Sequence, residues 1–471
     1  MTANAYSNDS RVWLLIPIES KAREYHAKLL LSCVAAVAGF EVILGRKGYI
    51  EFNIRFLPRG IVIGNNILSD KEAIFSRYRR MGFTPAAWCE EGIAYRNRRS
   101  YRHERISSGA MRQAALFFAW GAHHAEDVRL ATDSSDHSKI VISGSPRLDI
   151  LRPEFKEFYR DEAERLRSNY GPFVLVNTNF HRFNHFLGRG SYLRELKARG
   201  KVPNAKIEAF FRQWIDFLES MYGAFANMLR PLSAALTDHT VVLRPHPSEN
   251  HDAWRAEVKG LSNVKVRHEG SSLPWILASD AVIHNSCATG IEAFVMGVPV
   301  VAYRPIKSKA YDSYLPNALS HEICDENHLV MLVKALVSSG FSEDNKTIDA
   351  KRDLALQFFS GLEGPLASES IVKALRHLDI STRPAASNRI QALARKLAIR
   401  SVLPTRSFLR RKIIGPHPQA DYYYQKFPSL DLSEVAEDLS RLQRVSGRFA
   451  SVKVSKIGNM MFSVTSSGRE L

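Results

Sequence analysis

The chain has 471 residues, of which 45% are hydrophobic and 24% charged, and these ordinary proportions exclude an intrinsically disordered or a membrane-embedded protein. One hydrophobic core seldom grows beyond about 250 to 300 residues, so the length indicates two or three domains. The formal net charge of +17 calls for an anionic partner such as nucleic acid, anionic lipid or a phosphorylated substrate.

The first residues are polar and lead into a short apolar run at 12–16. This run is too short for a secretory signal, and no stretch reaches the roughly 18 apolar residues of a membrane span. The four cysteines lie far apart and form no CxxC pair, which argues against a zinc site or a disulfide scaffold. We therefore expect a cytoplasmic protein.

The first third of the chain alternates predicted strands and helices. A strand at 13–17, a helix at 23–38 and a strand at 41–44 form a βαβ unit, which implies a parallel sheet covered by helices. Further strands are predicted at 60–64, 85–88, 116–120 and 140–142, with a helix at 71–80. Together these elements predict one complete doubly wound domain.

The same alternation returns after a charged helical stretch at 153–168. Strands are predicted at 173–176, 240–243, 264–266, 281–283 and 298–301, with long helices between 206 and 236 and a helix from Gly290. Two Rossmann-like α/β domains facing across a cleft are the outline of the GT-B architecture, with ligands at the carboxyl ends of the strands. We place an N-terminal acceptor domain at 1–155 and a nucleotide-sugar donor domain at 156–375.

Residues 376–471 are predicted to form a basic helical tail. Between Arg383 and Lys412 there are nine Lys or Arg residues and no acidic one, with apolar residues at roughly helical spacing. Such a helix can lie on an anionic membrane surface, and a solvated helix that straps the two domains or returns to the first is equally compatible. Nucleic acid is disfavoured as a partner, because no aromatic stacking array or recognised binding motif accompanies the charge.

A His-Pro element directly follows the strand at 240–243. In Arg244-Pro245-His246-Pro247 the two prolines hold His246 in an extended turn at the carboxyl end of the sheet. An imidazole there can donate a hydrogen bond to a phosphate, or a proton to a leaving phosphate. A structural histidine in a tight turn fits the position equally well.

A strand, a short polar loop and a helix lie at 283–293. This pattern places the hydroxyls of Ser286 and Thr289, and backbone N–H groups near Gly290, at a helix N-terminus, which is the usual arrangement for binding phosphate. Glu292 is expected in the first turn of that helix. It could accept hydrogen bonds from a ribose, or simply interact with the helix dipole.

Two adjacent carboxylates, Glu90 and Glu91, end a strand of the first domain. Like charges side by side favour uptake of a proton, which suits a general base that deprotonates a sugar hydroxyl. A Glu-Glu pair by itself is more often a solvated loop. The catalytic interpretation gains weight because the pair, the His-Pro element and the Ser/Thr loop all lie at strand ends.

Asn177, Thr178 and Asn179 close the first strand of the second domain, and a loop with His181, Arg182 and His185 follows. The two histidines have a spacing that could ligate a metal, yet neither a helix nor a third ligand is evident, so contact with donor or acceptor is favoured. No Asp-x-Asp motif follows a strand. The sequence therefore predicts transfer without metal or cofactor, in which the helix dipole and basic residues stabilise the leaving phosphate.

Three short motifs together resemble a known set. The acidic-acidic-Gly motif at 90–92, the His-Pro motif at 246–247 and the later Ser/Thr motif resemble those of bacterial sialyltransferases and capsule Kdo transferases. The stretches 144–149 and 244–305 also resemble the surface carbohydrate biosynthesis proteins of polysaccharide gene clusters. The resemblance covers about residues 12–370, and its specific part is the order and placement of the motifs.

The resemblance implies a glycosyltransferase of capsule or lipopolysaccharide synthesis with a glycan or lipid-linked acceptor, and the basic tail is compatible with a peripheral position at the inner face of the cell membrane. The motif set favours a CMP-activated ulosonic acid, Kdo or a sialic-acid-like sugar, as the donor, and an NDP-sugar stays open because nothing in the sequence reads the base. We expect direct displacement, which inverts the anomeric carbon. Glu90 or Glu91 would be the acceptor base, although the first acidic position is Glu where many relatives carry Asp. The resemblance also implies that His246 binds or protonates the CMP phosphate and that Ser286 and Thr289 hold the same phosphate. As further nucleotide-binding residues the sequence predicts Arg244, Pro247, Gly290, Glu292, Asn177, Thr178 and Asn179.

Two other enzyme classes stay open. A CDP-alcohol phosphotransferase of teichoic-acid type has a similar Arg-Pro-His-Pro element and would transfer a phosphoalcohol. A sugar-nucleotide epimerase has the same twin-domain outline and needs no acceptor.

Overall fold

The computed structural model describes residues 12–92, 94–338, 343–378, 380 and 427–468. The chain divides into two compact units, which are interleaved along the sequence. Unit 1 comprises Met1–Glu90, Arg102–Ile150 and Phe358–Leu471, and unit 2 comprises Glu91–Tyr101 and Leu151–Gln357. Each unit is described by itself below, and the edge of a sheet at which its parallel strands end is called its carboxyl edge.

The first 150 residues supply the parallel strands of unit 1. These strands are β1 (Trp13–Ile18), β2 (Glu41–Arg46), β3 (Gly60–Gly64), β4 (Thr84–Trp88), β5 (Leu116–Ala119) and β6 (Ile140–Ile142). The helices are α1 (Lys21–Val37), α2 (Lys47–Asn53), α3 (Asp70–Arg80), α4 (Arg98–Arg105), α5 (Ser108–Gln113), α6 (Ala122–Arg129) and α7 (Pro146–Asp149), with 3-10 turns at Ile54–Phe56 and Ser134–Lys139. The strand order β2-β1-β3-β4-β5-β6 reverses direction between β1 and β3, as in a doubly wound fold.

Burial explains why the predicted elements of unit 1 form as they do. Residues Leu14 to Ile18 of β1 are buried without alternation, as expected for a parallel strand that is covered on both faces. The consecutive Leu29, Leu30 and Leu31 of α1 are buried as well, so this helix is enclosed on most sides. The strands predicted for this half of the chain are confirmed to within two residues at each end.

Unit 2 contains a second, six-stranded parallel sheet. Its strands are β7 (Phe173–Asn177), β8 (Thr240–Arg244), β9 (Val264–Val266), β10 (Ala281–His284), β11 (Val300–Tyr303) and β12 (His321–Ile323), in the order β12-β11-β10-β7-β8-β9. The helices are α8 (Arg160–Tyr170), α9 (Ser191–Ala198), α10 (Ala205–Ala235), α11 (His251–Glu257), α12 (Ser272–Ala278), α13 (Ala288–Val295), α14 (Tyr314–Ala318), α15 (Glu326–Val337) and α16 (Asn345–Phe358), with a 3-10 stretch at Pro153–Tyr159. The chain reverses between β7 and β10, so a ligand is expected at the carboxyl ends of these two strands.

The end of the chain completes unit 1. It forms α17 (Ala367–Arg376), α18 (Leu432–Ser446), β13 (Val452–Gly458) and β14 (Met461–Ser466). Strand β14 pairs antiparallel with β2, and β13 forms the outer edge, two strands that the sequence did not predict. The basic segment Arg383–Lys412 lies outside the described residues. Within the described part of the chain, no helix combines the length and apolar character that crossing a membrane requires.

Two glycines allow the returning chain to pack closely within unit 1. A Cβ on Gly121 would lie 2.2 Å from the carbonyl oxygen of Phe358, and one on Gly144 would lie 2.1 Å from that of Ser360. Gly144 also has a φ of +87°, which disfavours any residue with a Cβ. The Gly144-to-Asp149 stretch therefore has a packing role at this point.

Candidate active site

The carboxyl edge of unit 2 brings three predicted motifs together. Strand β7 lies between β8 and β10, and its last residue, Asn177, is in register with Arg244 on one side and His284 on the other. The Asn-Thr-Asn, His-Pro and Ser/Thr segments thus leave the sheet from adjacent strands. This is the place where the chain reverses, so the position suits a ligand site.

His246 is held in a tight turn by its neighbours in sequence. Its backbone N–H donates to Glu249 Oε1 at 3.1 Å, and its carbonyl accepts from the backbone N–H of Glu249 at 2.8 Å. The N–H of Ser248 donates to Nδ1 of the imidazole at 3.1 Å. Because Nδ1 accepts, the neutral ring carries its proton on Nε2, which is the form that can donate to a phosphate oxygen. The half-buried Pro247 keeps this turn from continuing as a helix.

Glu249 is a residue of the candidate site that the sequence pattern did not indicate. Its buried carboxylate accepts four hydrogen bonds, from Thr178 Oγ1 at 2.8 Å, Phe180 N at 3.0 Å, His246 N at 3.1 Å and Trp254 Nε1 at 2.8 Å. Burial raises the pKa of Glu249, and these hydrogen bonds oppose that effect. One carboxylate therefore fixes the loops after β7 and β8 to each other. The only available signal was an acidic residue three positions after His246.

The loop after β7 places a second imidazole beside the first. The rings of His181 and His246 are stacked, with centroids 4.8 Å apart and an interplanar angle of 30°. His181 Nδ1 lies 3.0 Å from Asn179 Oδ1, which can only accept, so the proton of neutral His181 is on Nδ1. Burial, with the charges of Arg182 and His246, holds the pKa of His181 well below its ordinary value. The two stacked rings thus carry opposite tautomers.

His185 does not join His181 in a metal site. Its Nδ1 accepts the backbone N–H of Leu187 at 3.2 Å, and burial lowers its pKa. Among the described residues, no group of three or more His, Cys, Asp or Glu side chains could hold a metal ion.

Arg244 stabilises the carboxyl edge of unit 2. Its guanidinium is buried and donates to the carbonyls of Glu269 at 3.1 Å and Gly270 at 2.7 Å, in the loop before α12. Burial lowers the pKa of Arg244 to about 10. The predicted contact with a nucleotide stays a prediction, because these carbonyls already occupy part of the guanidinium.

The Ser286 loop is held in an unusual backbone conformation. Ser286 has a φ of +48°, which is rare for a residue with a Cβ. Asn317 stabilises it by accepting from the Ser286 N–H at 3.1 Å and donating to its Oγ at 2.9 Å, and the Oγ–H points to Asp312 at 3.4 Å. The only hydroxyl proton of Ser286 is therefore directed at a carboxylate. Its assignment to phosphate binding stays a prediction.

Helix α13 begins at Ala288, two residues before the predicted start. A Cβ on Gly290 would lie 2.3 Å from His284 Nε2, so this glycine lets the helix approach a buried imidazole. Thr289 lies in the first turn, and its buried Oγ1 has no hydrogen-bond partner among the described residues. Glu292 is the fifth residue of the helix, and the expectation that it lies in the first turn is wrong. Its carboxylate accepts from Ser272 Oγ at 3.4 Å.

Glu90 and Glu91 lie in different surroundings. Glu90 is the last residue of the first segment of unit 1, and its buried carboxylate accepts from Trp88 Nε1 and lies 3.7 Å from Lys28 Nζ. Glu91 is exposed and begins the segment that belongs to unit 2. The structure thus shows which of the two side chains points inward, while the role of either as a base stays a prediction.

The Gly144-to-Asp149 stretch supports Glu90 from within unit 1. Arg147 donates to the carbonyl of Glu90 at 3.1 Å. Asp149 accepts from the N–H groups of Ala367 and Ser368 at 2.8 Å each, and so caps the start of α17. This stretch ties the acidic motif to the returning chain.

Comparisons with known proteins find similar solved structures but no matching sequence family. No protein-family model matches the sequence, and neither does any curated protein. A variant of the wall teichoic acid polymerase TagF is similar with a TM-score of 0.50 and 15% identity, over 79% of this chain and 89% of that one. The putative UDP-N-acetylglucosamine 2-epimerase of Listeria monocytogenes gives 0.47 and 14%, over 80% and 99%. UDP-GlcNAc 2-epimerase of Neisseria meningitidis, bound to UDP-GlcNAc, gives 0.42 and 13%, over 78% and 100%.

At these identities the likeness concerns the fold alone. It confirms the predicted fold class, an α/β chain with two Rossmann-like units of GT-B type. The expectation that the acidic pair and His246 meet across a cleft stays a prediction.

Proposed function

We propose that this chain is a GT-B glycosyltransferase of surface polysaccharide synthesis, which binds a nucleotide-activated sugar at the carboxyl edge of unit 2. The observation that carries the proposal is the state of His246. Its Nδ1 accepts a backbone hydrogen bond, so the neutral ring carries its proton on Nε2 at the point where the strand order reverses. A fixed donor at this point suits the phosphate of a leaving nucleotide.

The proposed reaction is a direct displacement. The acceptor hydroxyl loses its proton to a base, its oxygen bonds to the anomeric carbon, and the bond from that carbon to the phosphate oxygen breaks with inversion. His246 Nε2–H donates to the departing phosphate, and the start of α13 with Thr289 adds its dipole. No step requires a metal or a cofactor in this scheme.

For the acceptor base we favour Glu91 over Glu90. The carboxylate of Glu90 is buried against Trp88 and Lys28, which hinder the access of an acceptor. Glu91 is exposed, as a base that must reach an acceptor has to be. In a working assay, Glu91→Gln should lower kcat by about a hundredfold or more with little change in donor KM. A Glu91→Gln enzyme with normal kcat would remove this assignment.

The preferred donor is a CMP-activated ulosonic acid, Kdo or a sialic-acid-like sugar. The support for cytidine is the resemblance of the motif set, since no residue of the site has been found to read the base. Purified protein can be incubated with CMP-, UDP- and GDP-sugars while its melting temperature is followed. Protection by the CMP-sugar is expected, and protection only by another donor would contradict the preference.

His246 provides the matched test of the site itself. His246→Ala should abolish the protection, whereas His328→Ala, on the exposed face of α15, should leave it unchanged. Protection that survives in His246→Ala would refute the proposed position of the phosphate. Turnover that persists in excess EDTA would support transfer without a metal, and loss of turnover would contradict it.

A CDP-alcohol phosphotransferase is the second candidate, and the stacked histidines favour it. Neutral His181 has its lone pair on Nε2 while neutral His246 has its proton there, so the two rings could serve the attacking and the leaving oxygen at one phosphorus. A product that gains phosphorus, detected by mass, would identify this reaction. Conversion of a donor without any acceptor would instead identify an epimerase.

A further inference from the structure

Arg182 carries a charge that no carboxylate of the described residues balances. It lies in the loop after β7, directly after His181. Within the described part of the chain its contacts are aromatic, since its guanidinium lies 4.1 Å from the ring centroid of Trp214 and its Nε donates to the hydroxyl of Tyr192 at 3.2 Å. A half-buried guanidinium without an anionic partner loses hydration and gains little in return. An anion bound beside Arg182 would therefore balance its charge.

A second guanidinium lies over the same indole. Arg96, from the 91–101 segment of unit 2, has its Cζ 4.6 Å from the Trp214 ring, and its NH1 donates to the carbonyl of Ala310 at 3.3 Å. Phe211 and Tyr311 stack nearly parallel to Trp214, at 10° and 13°, and fix its plane. Two guanidinium groups thus share one rigid aromatic support, and an anion beside Arg182 would balance its charge.

The position of Arg182 relates it to the proposed phosphate site. His181 precedes it in the chain and stacks on His246 at 4.8 Å. The positive charge of Arg182 also contributes to the lowered pKa of the His181 imidazole. A ligand whose phosphate contacts His246 would have its next group near this loop.

We propose that Arg182, supported by Trp214, binds the second anionic group of the donor, beyond the phosphate held by His246. This inference rests on the proposed function. The group would be a two-oxygen anion that matches the planar edge of a guanidinium, either the terminal phosphate of a nucleoside diphosphate or the carboxylate of an ulosonic acid. Orientation by Trp214 reduces the entropy that Arg182 would lose on binding.

The experiment compares ligands that differ by one anionic group. Dissociation constants for CMP, CDP and CMP-Kdo are measured by calorimetry on the full chain, with UMP and UDP as a second pair. Arg182→Ala should weaken CDP or CMP-Kdo about tenfold or more and change CMP less than about twofold, because only the charged contact to the second group is lost. A loss confined to CDP identifies a phosphate, and a loss confined to CMP-Kdo identifies a carboxylate.

Arg189→Ala is the matched control. Arg189 lies in the same loop and has its guanidinium 4.6 Å from the Phe183 ring, but it already pairs with Glu219 at 3.4 Å. The Arg189→Ala variant should leave all the dissociation constants unchanged. Equal weakening of CMP and CDP by Arg182→Ala, or no weakening of either second-group ligand, would overturn the inference while His246 keeps its role. Failure of the wild-type chain to bind any of these nucleotides would remove the proposed function and the inference together.

Discussion

The two units carry polar residues at the same place in the fold but use them differently. At the carboxyl edge of unit 1, Lys28 Nζ lies 2.7 Å from Glu24 Oε2, 3.7 Å from Glu90 Oε2 and 2.7 Å from the carbonyl of Pro17. At the edge of unit 2, Glu249 is held by four neutral donors, while the half-buried guanidinium of Arg182 makes no ion pair with any described residue. The first edge satisfies its own charges, and the second is suited to a ligand.

The starts of two helices show the same contrast. The carboxylate of Glu24, one turn into α1, accepts from the N–H groups of Glu19 at 2.9 Å and Ser20 at 3.1 Å, so an internal anion occupies the start of this helix. Helix α13 follows Cys287, which makes no side-chain cap hydrogen bond. A helix start that its own sequence leaves uncapped is the better place for an external anion.

The largest expected effect would break the ion network of unit 1. Lys28→Met should lower the free energy of unfolding by about 3–5 kcal/mol, because it removes the buried cation from two buried carboxylates and leaves Glu24 with only the more exposed Arg23. Urea denaturation measures the loss. Lys47→Met is the control, since its pair with Glu19 is partly exposed and worth about 1 kcal/mol or less. Equal losses in the two variants would show that burial of the network contributes nothing extra.

The next effect concerns the support of His246. Glu249→Ala should lower the free energy of unfolding by about 2–3 kcal/mol, because it leaves the buried N–H groups of Phe180, His246 and Trp254 without an acceptor. It should also weaken protection by nucleotide. Asp149→Ala removes a comparable buried carboxylate from unit 1 and should destabilise without changing the nucleotide affinity of the folded protein. An equal loss of affinity in both variants would contradict a local role for Glu249.

A smaller effect tests the close approach at α13. Gly290→Ala places a methyl group against the ring of His284 and should cost about 1–2 kcal/mol, while Gly223→Ala, in open space on α10, should gain about 0.5–1 kcal/mol. Thermal denaturation of the two variants measures both signs. If Gly290→Ala left the free energy of unfolding unchanged, His284 would be free to move away. The loop after β10 would then be less rigid than its hydrogen bonds indicate.

The sequence predicted the strands well because parallel strands are short, continuously apolar runs. The run at 281–283 and the polar residues after it, for example, match β10 and its loop. β12, β13 and β14 were missed. The alternating residues Val452, Lys453 and Val454 of β13 form a strand by pairing with β14, which in turn pairs with β2, and no local pattern reveals these partners. The interleaving of the units was not predictable either, since it depends on contacts between distant segments.

The candidate site was predictable in its location and less so in its contacts. Placement after strands located His246 and Ser286 correctly at one edge. Glu249 was overlooked because its role depends on Thr178 and Phe180, about 70 residues away in sequence. The direction of the Ser286 hydroxyl likewise depends on Asn317, which no local pattern reveals.

The smallest effect compares how the two buried carboxylates respond to pH. Burial alone would raise the pKa of Glu24, but Lys28 and Arg23 outweigh it and the net shift is downward, whereas burial prevails at Glu249 and raises its pKa. Glu24 thus adds stability above its unfolded pKa that disappears as the pH falls, and Glu249 adds stability at low pH that disappears as the pH rises through its folded pKa. The deficit of Glu24→Gln should therefore grow with rising pH, and that of Glu249→Gln should shrink. Urea midpoints measured from about pH 3 to 8 give both trends, since the deficit of Glu24→Gln changes mainly at the acidic end. Parallel trends would mean that the two carboxylates are held in the same way.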